Sequence, residues 1–87
     1  MNCRPIRFTA HALDKLREER ERGFDVDENL AMEIVARPYQ VAPARDGRKF
    51  AQSPVDERHL LRVLFEEEAG GLVIITVYIG AREQYEI

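Results

Sequence analysis

Three side chains of this 87-residue chain are candidates for acid–base or charge-stabilising chemistry: His11, Arg62 and Tyr85. His11 lies in the first turn of a predicted helix, where the helix dipole favours a neutral imidazole that can act as a base near neutral pH. Arg62 interrupts the apolar segment 59–65, where a charge must point away from the core or be paired. Tyr85 follows Arg82 by three residues, and a tyrosine beside arginines can stack on a nucleobase or assist proton transfer. The structural alternatives are an exposed or cap-bonding histidine, an ion-paired arginine and a tyrosine packed on the sheet edge.

Three further basic residues are candidates for binding a phosphate group: Lys15, Arg48 and Arg82. Lys15 follows His11 by four residues, so both are expected on the same side of the helix. If Arg48 and Arg62 share one face of a sheet, their guanidinium groups form an anion-binding pair suited to phosphate or to a charged transition state. Ion pairs with neighbouring carboxylates are the alternative for both arginines.

Sites that need clustered ligands are not indicated by this sequence. His11 and His59 are the only histidines and have no partners at ligand spacing, so no metal site is predicted. No glycine-rich phosphate loop is present, and no cofactor is expected. Cys3 is the single cysteine, so no internal disulfide is expected. The longest apolar run is about half the length of a membrane helix and no signal peptide is indicated, which predicts a cytoplasmic protein without a membrane partner.

The net charge of −3 and the pI of about 5.4 argue against a dedicated nucleic-acid binder, because such proteins are usually basic. The charge is unevenly distributed, however. Residues 37–65 carry six basic and three acidic side chains, whereas residues 11–35 carry four basic and eight acidic ones. Residues 66–87 are acidic as well. The basic middle segment can therefore still attract an anion locally.

Capping and periodicity predict the elements that position these residues in the first half of the chain. A short alternating segment at 6–8 predicts a strand, and a capped amphipathic pattern predicts a helix over 10–22. Asp25 or Asp27 is expected to cap a second helix, which must stop before Pro38 because the residue preceding a proline disfavours the helical conformation.

The second half of the chain has the period-two pattern of strands. Asp46-Gly47 is a strong signal for a two-residue hairpin. Strands are expected at 59–66 and at 72–79, and the latter is predicted to be central because it is apolar on both faces. Residues 82–87 fit either an edge strand or one helical turn. The prediction is a single α+β domain: β-α-α followed by a three- to four-stranded antiparallel sheet.

The segment FTAHALDKL at 8–16 resembles the His-Ala-led first helix of small prokaryotic domains catalogued as of unknown function. The resemblance covers nearly the whole chain, and its other matching pieces are ARP at 36–38, DGR at 46–48, LRVLF at 61–65 and VIITVY at 73–78. That family in turn is distantly similar to the RelE-like and BrnT-like toxins of bacterial type II toxin–antitoxin pairs.

This resemblance implies a RelE-like fold with a concave sheet that receives RNA. It also implies metal-independent endoribonuclease activity, in which the RNA's own 2′-OH attacks the adjacent phosphate, and an antitoxin protein as partner. Arg62 matches the strand arginine of the toxins, and Arg82 and Tyr85 match their C-terminal basic-plus-tyrosine element. His11 and Lys15 match only the helix of the nearer family.

Two other hypotheses remain open at this point. A binding module without chemistry would dock an acidic protein segment or a second copy of itself as a homodimer, with a sheet edge as one possible contact. A non-toxic relative would bind RNA without cutting it. Convergence of His11, Arg62, Arg82 and Tyr85 on one concave surface is the arrangement that the enzyme hypothesis requires.

Overall fold

The computed structural model describes residues 4–87, and Cys3 lies outside this range. The described residues form a five-stranded sheet with two helices and a short third helix. In chain order the elements are β1 (Ile6–Phe8), α1 (Ala10–Glu21), α2 (Glu28–Ala36), β2 (Gln40–Pro43), β3 (Lys49–Pro54), β4 (His59–Glu68), β5 (Gly71–Ala81) and α3 (Arg82–Tyr85). The predicted α+β class is confirmed, and residues 82–85 are a helical turn rather than an edge strand.

The strand order in the sheet is β1-β5-β4-β3-β2. The pairs β2–β3, β3–β4 and β4–β5 are antiparallel, as predicted, and β1 adds a fifth strand that is parallel to β5. The prediction that 72–79 is the central strand is wrong, because β4 holds that position. Segment 72–79 lies between β1 and β4, and α1 covers one of its faces.

Side-chain caps fix where both long helices begin. The Thr9 hydroxyl oxygen accepts a hydrogen bond from the Ala12 amide at 3.0 Å, which satisfies one of the free N–H groups of the first turn of α1. Asp27, not Asp25, caps α2, since its carboxylate accepts from the Leu30 amide at 2.8 Å. Within residues 4–87, no helix combines the length and apolarity needed to cross a membrane.

The hairpin between β2 and β3 confirms the Asp46-Gly47 prediction. Asp46 and Gly47 have φ values of 60° and 76°, and the Arg48 amide donates to the Arg45 carbonyl at 3.1 Å. Positive φ at both central residues defines a type I′ turn, whose twist matches that of the two strands it joins.

Helices α1 and α2 pack on one face of the sheet only. Their buried residues share a core with Ala51, Leu61, Val63 and Val77 of β3, β4 and β5. Because side chains alternate along a strand, the intervening residues of β2 to β5 point to the opposite face. We call this second surface the open face.

Candidate functional site

Four polar residues form a row across the open face. Gln40 of β2 is directly opposite Gln52 of β3, Gln52 is opposite Arg62 of β4, and Arg62 is opposite Tyr78 of β5. Neighbouring strands lie about 4.8 Å apart, so the row extends over roughly 14 Å. The antiparallel registers of three strand pairs bring these residues together although they are far apart in sequence.

Arg62 is the centre of this row and is buried, with 8% of its surface exposed. Its guanidinium carbon lies 4.1 Å from the ring centre of Phe50, 4.1 Å from that of Tyr85 and 5.4 Å from that of Tyr78. The faces of aromatic rings attract a cation, which offsets part of the cost of burying the charge. We call Arg62 and these three rings the aromatic cluster.

Hydrogen bonds fix the orientation of the guanidinium group within the aromatic cluster. Its Nε donates to Oε1 of Gln52 at 2.9 Å, and its Nη1 donates to the Tyr78 hydroxyl. Arg62 forms no ion pair with a carboxylate of residues 4–87, and Nη2 has no hydrogen bond within that range. Every fully buried side-chain nitrogen or oxygen of these residues has a partner, so Nη2 must retain contact with solvent.

Gln52 is the buried link between Arg62 and the end of the chain. It has no exposed surface. Its Nε2 donates to Oε1 of Gln40 and to the Tyr85 carbonyl, both at 3.0 Å. Since its Oε1 is used by Arg62, the amide is held in one orientation that joins all three neighbours.

Residues 82–87, which we call the strap, fold over the open face. The Tyr85 ring packs against Gly80, where an added methyl group would lie only 2.7 and 2.8 Å from Cδ2 and Cε2 of that ring. The strand expected at 72–79 continues through Gly80 to Ala81. The glycine leaves room for the Tyr85 ring.

The strap is held by contacts with β2 and its preceding residue. Gln40 accepts from the Ile87 amide at 2.9 Å and donates to the Ile87 carbonyl at 2.8 Å. The Tyr39 hydroxyl lies 3.1 Å from Glu86. Arg82 pairs with Glu86 at 2.6 Å, a hydrogen bond that raises the pKa of Arg82, so this guanidinium is already neutralised within the strap.

The hydroxyl of Tyr78 is kept in its protonated form by its surroundings. Burial of the ring raises the pKa of Tyr78, although the nearby positive charge of Arg62 opposes this effect. A neutral phenol that remains protonated across the physiological range can donate a proton but is a poor base.

The structure separates the predicted site residues into two groups. Arg62 and Tyr85 are in contact on the open face, and Arg82 begins the strap that carries Tyr85. His11 is exposed on α1, and Lys15 on the same helix lies 3.5 Å from Glu18. Helix α1 packs on the other side of the sheet, so His11 and Lys15 do not share a surface with Arg62.

Arg48 takes the ion-paired alternative. It lies 3.4 Å from Glu66 on the adjacent strand and therefore does not form an anion-binding pair with Arg62. The cross-strand pair of Phe50 with Leu64 lies on the same face, between Arg48 and Arg62. Arg62 points away from the core, as one of the two expectations required, but aromatic rings rather than solvent surround it.

Sequence reasoning missed Gln40, Gln52 and Phe50 as members of the site. The period of β3 places Phe50 and Gln52 on one side of the strand, but only the cross-strand register shows that they face Arg62.

No group of three His, Cys, Asp or Glu side chains that could hold a metal ion is found in the described part of the chain. A scan against protein-family models and searches of curated proteins and of solved structures find no significant match to this chain.

Proposed function

We propose that this domain binds single-stranded RNA on its open face and is of the toxin type. The single observation that carries the proposal is the aromatic cluster, in which three rings surround a guanidinium group that has no carboxylate partner within residues 4–87. Unstacked bases bind to aromatic rings and to arginine planes presented by a sheet, and stacking contributes about 1–3 kcal/mol per base.

The charges around the open face support recognition by stacking rather than by a broad basic surface. Arg48 is paired with Glu66, and Arg82 is paired with Glu86. Arg62 alone in this row carries a positive charge with no acidic partner within the described residues, and its Nη2 is the atom that a phosphate oxygen could reach. This arrangement is compatible with a net charge of −3, because base stacking requires no basic protein.

RNA cleavage by 2′-OH attack requires a base, a group that stabilises the added negative charge and an acid at one phosphate. The open face offers the last two. The 2′-oxygen forms a bond to phosphorus while the bond to the 5′-oxygen breaks, which leaves a 2′,3′-cyclic phosphate and a 5′-hydroxyl. Arg62 would stabilise the additional negative charge of the phosphorane-like transition state. Tyr78, whose hydroxyl contacts the Arg62 guanidinium, would protonate the leaving 5′-oxygen. His11 is too distant in the fold to serve as the base at this site, so the 2′-OH proton would pass to water or to a group of the RNA.

Induced expression in a bacterial host tests both parts of the proposal. We expect the wild type to slow growth and to shorten messenger RNA, and Arg62→Met to relieve both effects, because methionine fills the space without the charge. His11→Ala should behave like the wild type, since it lies on the other side of the sheet. Folding of each variant is checked by circular dichroism.

The outcomes separate cleavage from binding. Normal growth and intact RNA, together with retention of a labelled oligoribonucleotide by the purified wild type, would restrict the function to RNA binding. Failure of every folded form of the chain with an intact Arg62, the wild type included, to bind any oligoribonucleotide would overturn the proposal. An effect of His11→Ala as large as that of Arg62→Met would overturn the assignment of the site to the open face.

A second candidate function is a protein-binding module, favoured by the exposed edge of the sheet at β2. Tyr39 and Val41 expose 53% and 45% of their surfaces there, and β2 has a neighbour on one side only. Such an edge can accept a strand from an antitoxin or from a second copy of the chain. If the wild type sediments as a dimer, Val41→Lys should shift it to the monomer, whereas Leu13→Lys, at a similarly exposed position of α1, is not expected to do so. A dimer unaffected by Val41→Lys would exclude this edge.

A further inference from the structure

Two residues of the strap use the open face in the way that a nucleic acid would. Gln40 forms a bidentate pair with the main chain of Ile87, accepting from its N–H and donating to its carbonyl oxygen. Tyr85 places its ring on the guanidinium of Arg62 at 4.1 Å. Ile87 therefore forms hydrogen bonds with the side-chain amide of Gln40, and the Tyr85 ring stacks on the guanidinium plane of Arg62.

An adenine offers the same two hydrogen-bonding groups that Ile87 offers to Gln40. Its N6 amino group donates and its N7 accepts, and glutamine side chains pair with this edge in a bidentate manner. A base next to it in the strand can stack on an arginine plane in the position of the Tyr85 ring. Two consecutive nucleotides could therefore replace the two strap residues. The adenine would take the place of Ile87 at Gln40, and the next base would take the place of the Tyr85 ring on Arg62.

We propose that the strap occupies an adenine-recognising site on the open face and holds the domain closed until RNA displaces it. This inference rests on the proposed binding of single-stranded RNA and adds a base preference and an autoinhibited state to it. Gln40 is the specificity-determining residue, and Arg62 is the stacking surface that the strap covers.

The strap is attached by polar contacts and by the Tyr85 ring rather than by the hydrophobic core, so it can leave without disturbing that core. Helix α3 has only four residues, and isolated helices of this length have little stability of their own. None of the strap residues is buried, and none belongs to the hydrophobic core. Its removal would leave the packing between the helices and the sheet unchanged.

Gly80 provides a way to open the strap without changing either binding residue. In Gly80→Ala the new methyl group would overlap the Tyr85 ring, and the φ angle of Gly80 lies outside the left-handed region, so alanine is tolerated by the backbone. Tyr85→Leu removes the ring by an independent route. The probes are fluorescein-labelled hexamers of riboadenylate and of ribouridylate, and the readout is fluorescence anisotropy with the full chain.

If the strap competes with RNA, Gly80→Ala and Tyr85→Leu should bind the adenylate hexamer about tenfold more tightly than the wild type, because the closed state lowers the apparent affinity by the fraction of open molecules. Adenylate should be preferred over uridylate about fivefold or more, and Gln40→Leu in the Gly80→Ala background should abolish this preference. In the wild type, the adenylate hexamer should also accelerate hydrogen exchange of the Ile87 amide.

The outcomes distinguish this inference from the function beneath it. Binding by the wild type with no gain in either strap variant would overturn the strap proposal and leave RNA binding intact. A gain in affinity with equal binding of both hexamers would overturn adenine recognition by Gln40. Absence of binding in the wild type and in both strap variants would overturn the RNA-binding function and the inference together.

Discussion

Oε1 of Gln52 accepts a hydrogen bond from Nε of Arg62 across the β3–β4 pair at 2.9 Å, and the glutamine is fully buried. The same amide donates to Gln40 and to the carbonyl of Tyr85. A residue of the sheet interior therefore sets both the direction of the buried cation and the position of the strap. The candidate site is part of the hydrogen-bonded structure of the sheet rather than an addition to its surface.

We expect Gln52→Leu to lower the free energy of unfolding by about 2 kcal/mol or more, because the substitution leaves buried polar groups of Arg62 and Tyr85 without partners. Urea denaturation followed by circular dichroism measures this change. The control is Gln84→Leu, an exposed position of α3, where a change within about 0.5 kcal/mol is expected. Equal effects of the two substitutions would show that the Gln52 hydrogen bonds contribute nothing to stability.

Glu19 binds a backbone amide of β5 that no neighbouring strand pairs with, and its removal should destabilise the fold. The residue is 2% exposed, and its carboxylate accepts from the Ile79 amide at 2.9 Å and from Arg22 at 2.6 Å. Strand β1 pairs with only three residues of β5, so the Ile79 amide has no strand partner on that side. Glu19→Ala should therefore destabilise the fold by about 1–3 kcal/mol.

Thermal or urea unfolding of Glu19→Ala beside Glu18→Ala checks this prediction. Glu18 is on the same helix, is exposed and lies 3.5 Å from Lys15, so its removal should change stability by about 0.5 kcal/mol or less. If both variants unfold alike, the contact between Glu19 and Ile79 is not a stabilising one.

Asp56 should make the fold sensitive to acid. The Arg58 amide, opposed by desolvation and aided by His59, holds the pKa of Asp56 below its usual value. The unfolded chain thus binds this proton more readily, so the contribution to stability is present above the ordinary aspartate pKa of about 3.9 and is lost as the pH falls through the lower, folded value.

Asp56→Asn should accordingly flatten the dependence of unfolding free energy on pH below about pH 4. The measurement is urea unfolding at a series of pH values, with Asp25→Asn as the control. Asp25 is exposed and has no ion pair with residues 4–87. An unchanged pH profile for Asp56→Asn would mean that this loop is not formed as described.

RNA binding by the open face should depend weakly on salt. Each phosphate contact to a single strand contributes a slope of about −0.7 in a plot of log K against log salt concentration, so one or two contacts predict a slope between about −0.7 and −1.4. Fluorescence anisotropy from low to high potassium chloride measures the slope. Arg62→Met should reduce both the affinity and the slope, whereas a steep slope that persists in this variant would place binding on another surface.

Local patterns predicted the elements of this fold well, because capping and turn formation depend on residues that are close in sequence. Asp46-Gly47 forms the expected type I′ turn, and Thr9 caps α1. The position of 72–79 in the sheet was predicted wrongly, since a run that is apolar on both faces shows that a strand is covered but not which strands flank it.

The site was predicted only in part for a related reason. Arg62 was singled out because a charge within an apolar strand needs an explanation, and Tyr85 because of its proximity to Arg82. Their contact, and the participation of Gln52, depends on the register between strands and on the path of the strap. Both are set by the packing of the whole sheet, which no local window of sequence contains.

The pairing of β1 with β5 also determines when folding of the domain can finish during translation. Thr9, which follows β1, bonds to Ile75, and these residues are 66 positions apart. Long-range pairing of this kind must wait until both segments have left the ribosome. Strand β1 therefore remains without its β5 partner until residues 71–81 have been made, and the Arg62–Tyr85 contact requires residue 85 as well. A nascent chain consequently carries no assembled site, and any activity of the open face begins only after residue 85 has left the ribosome.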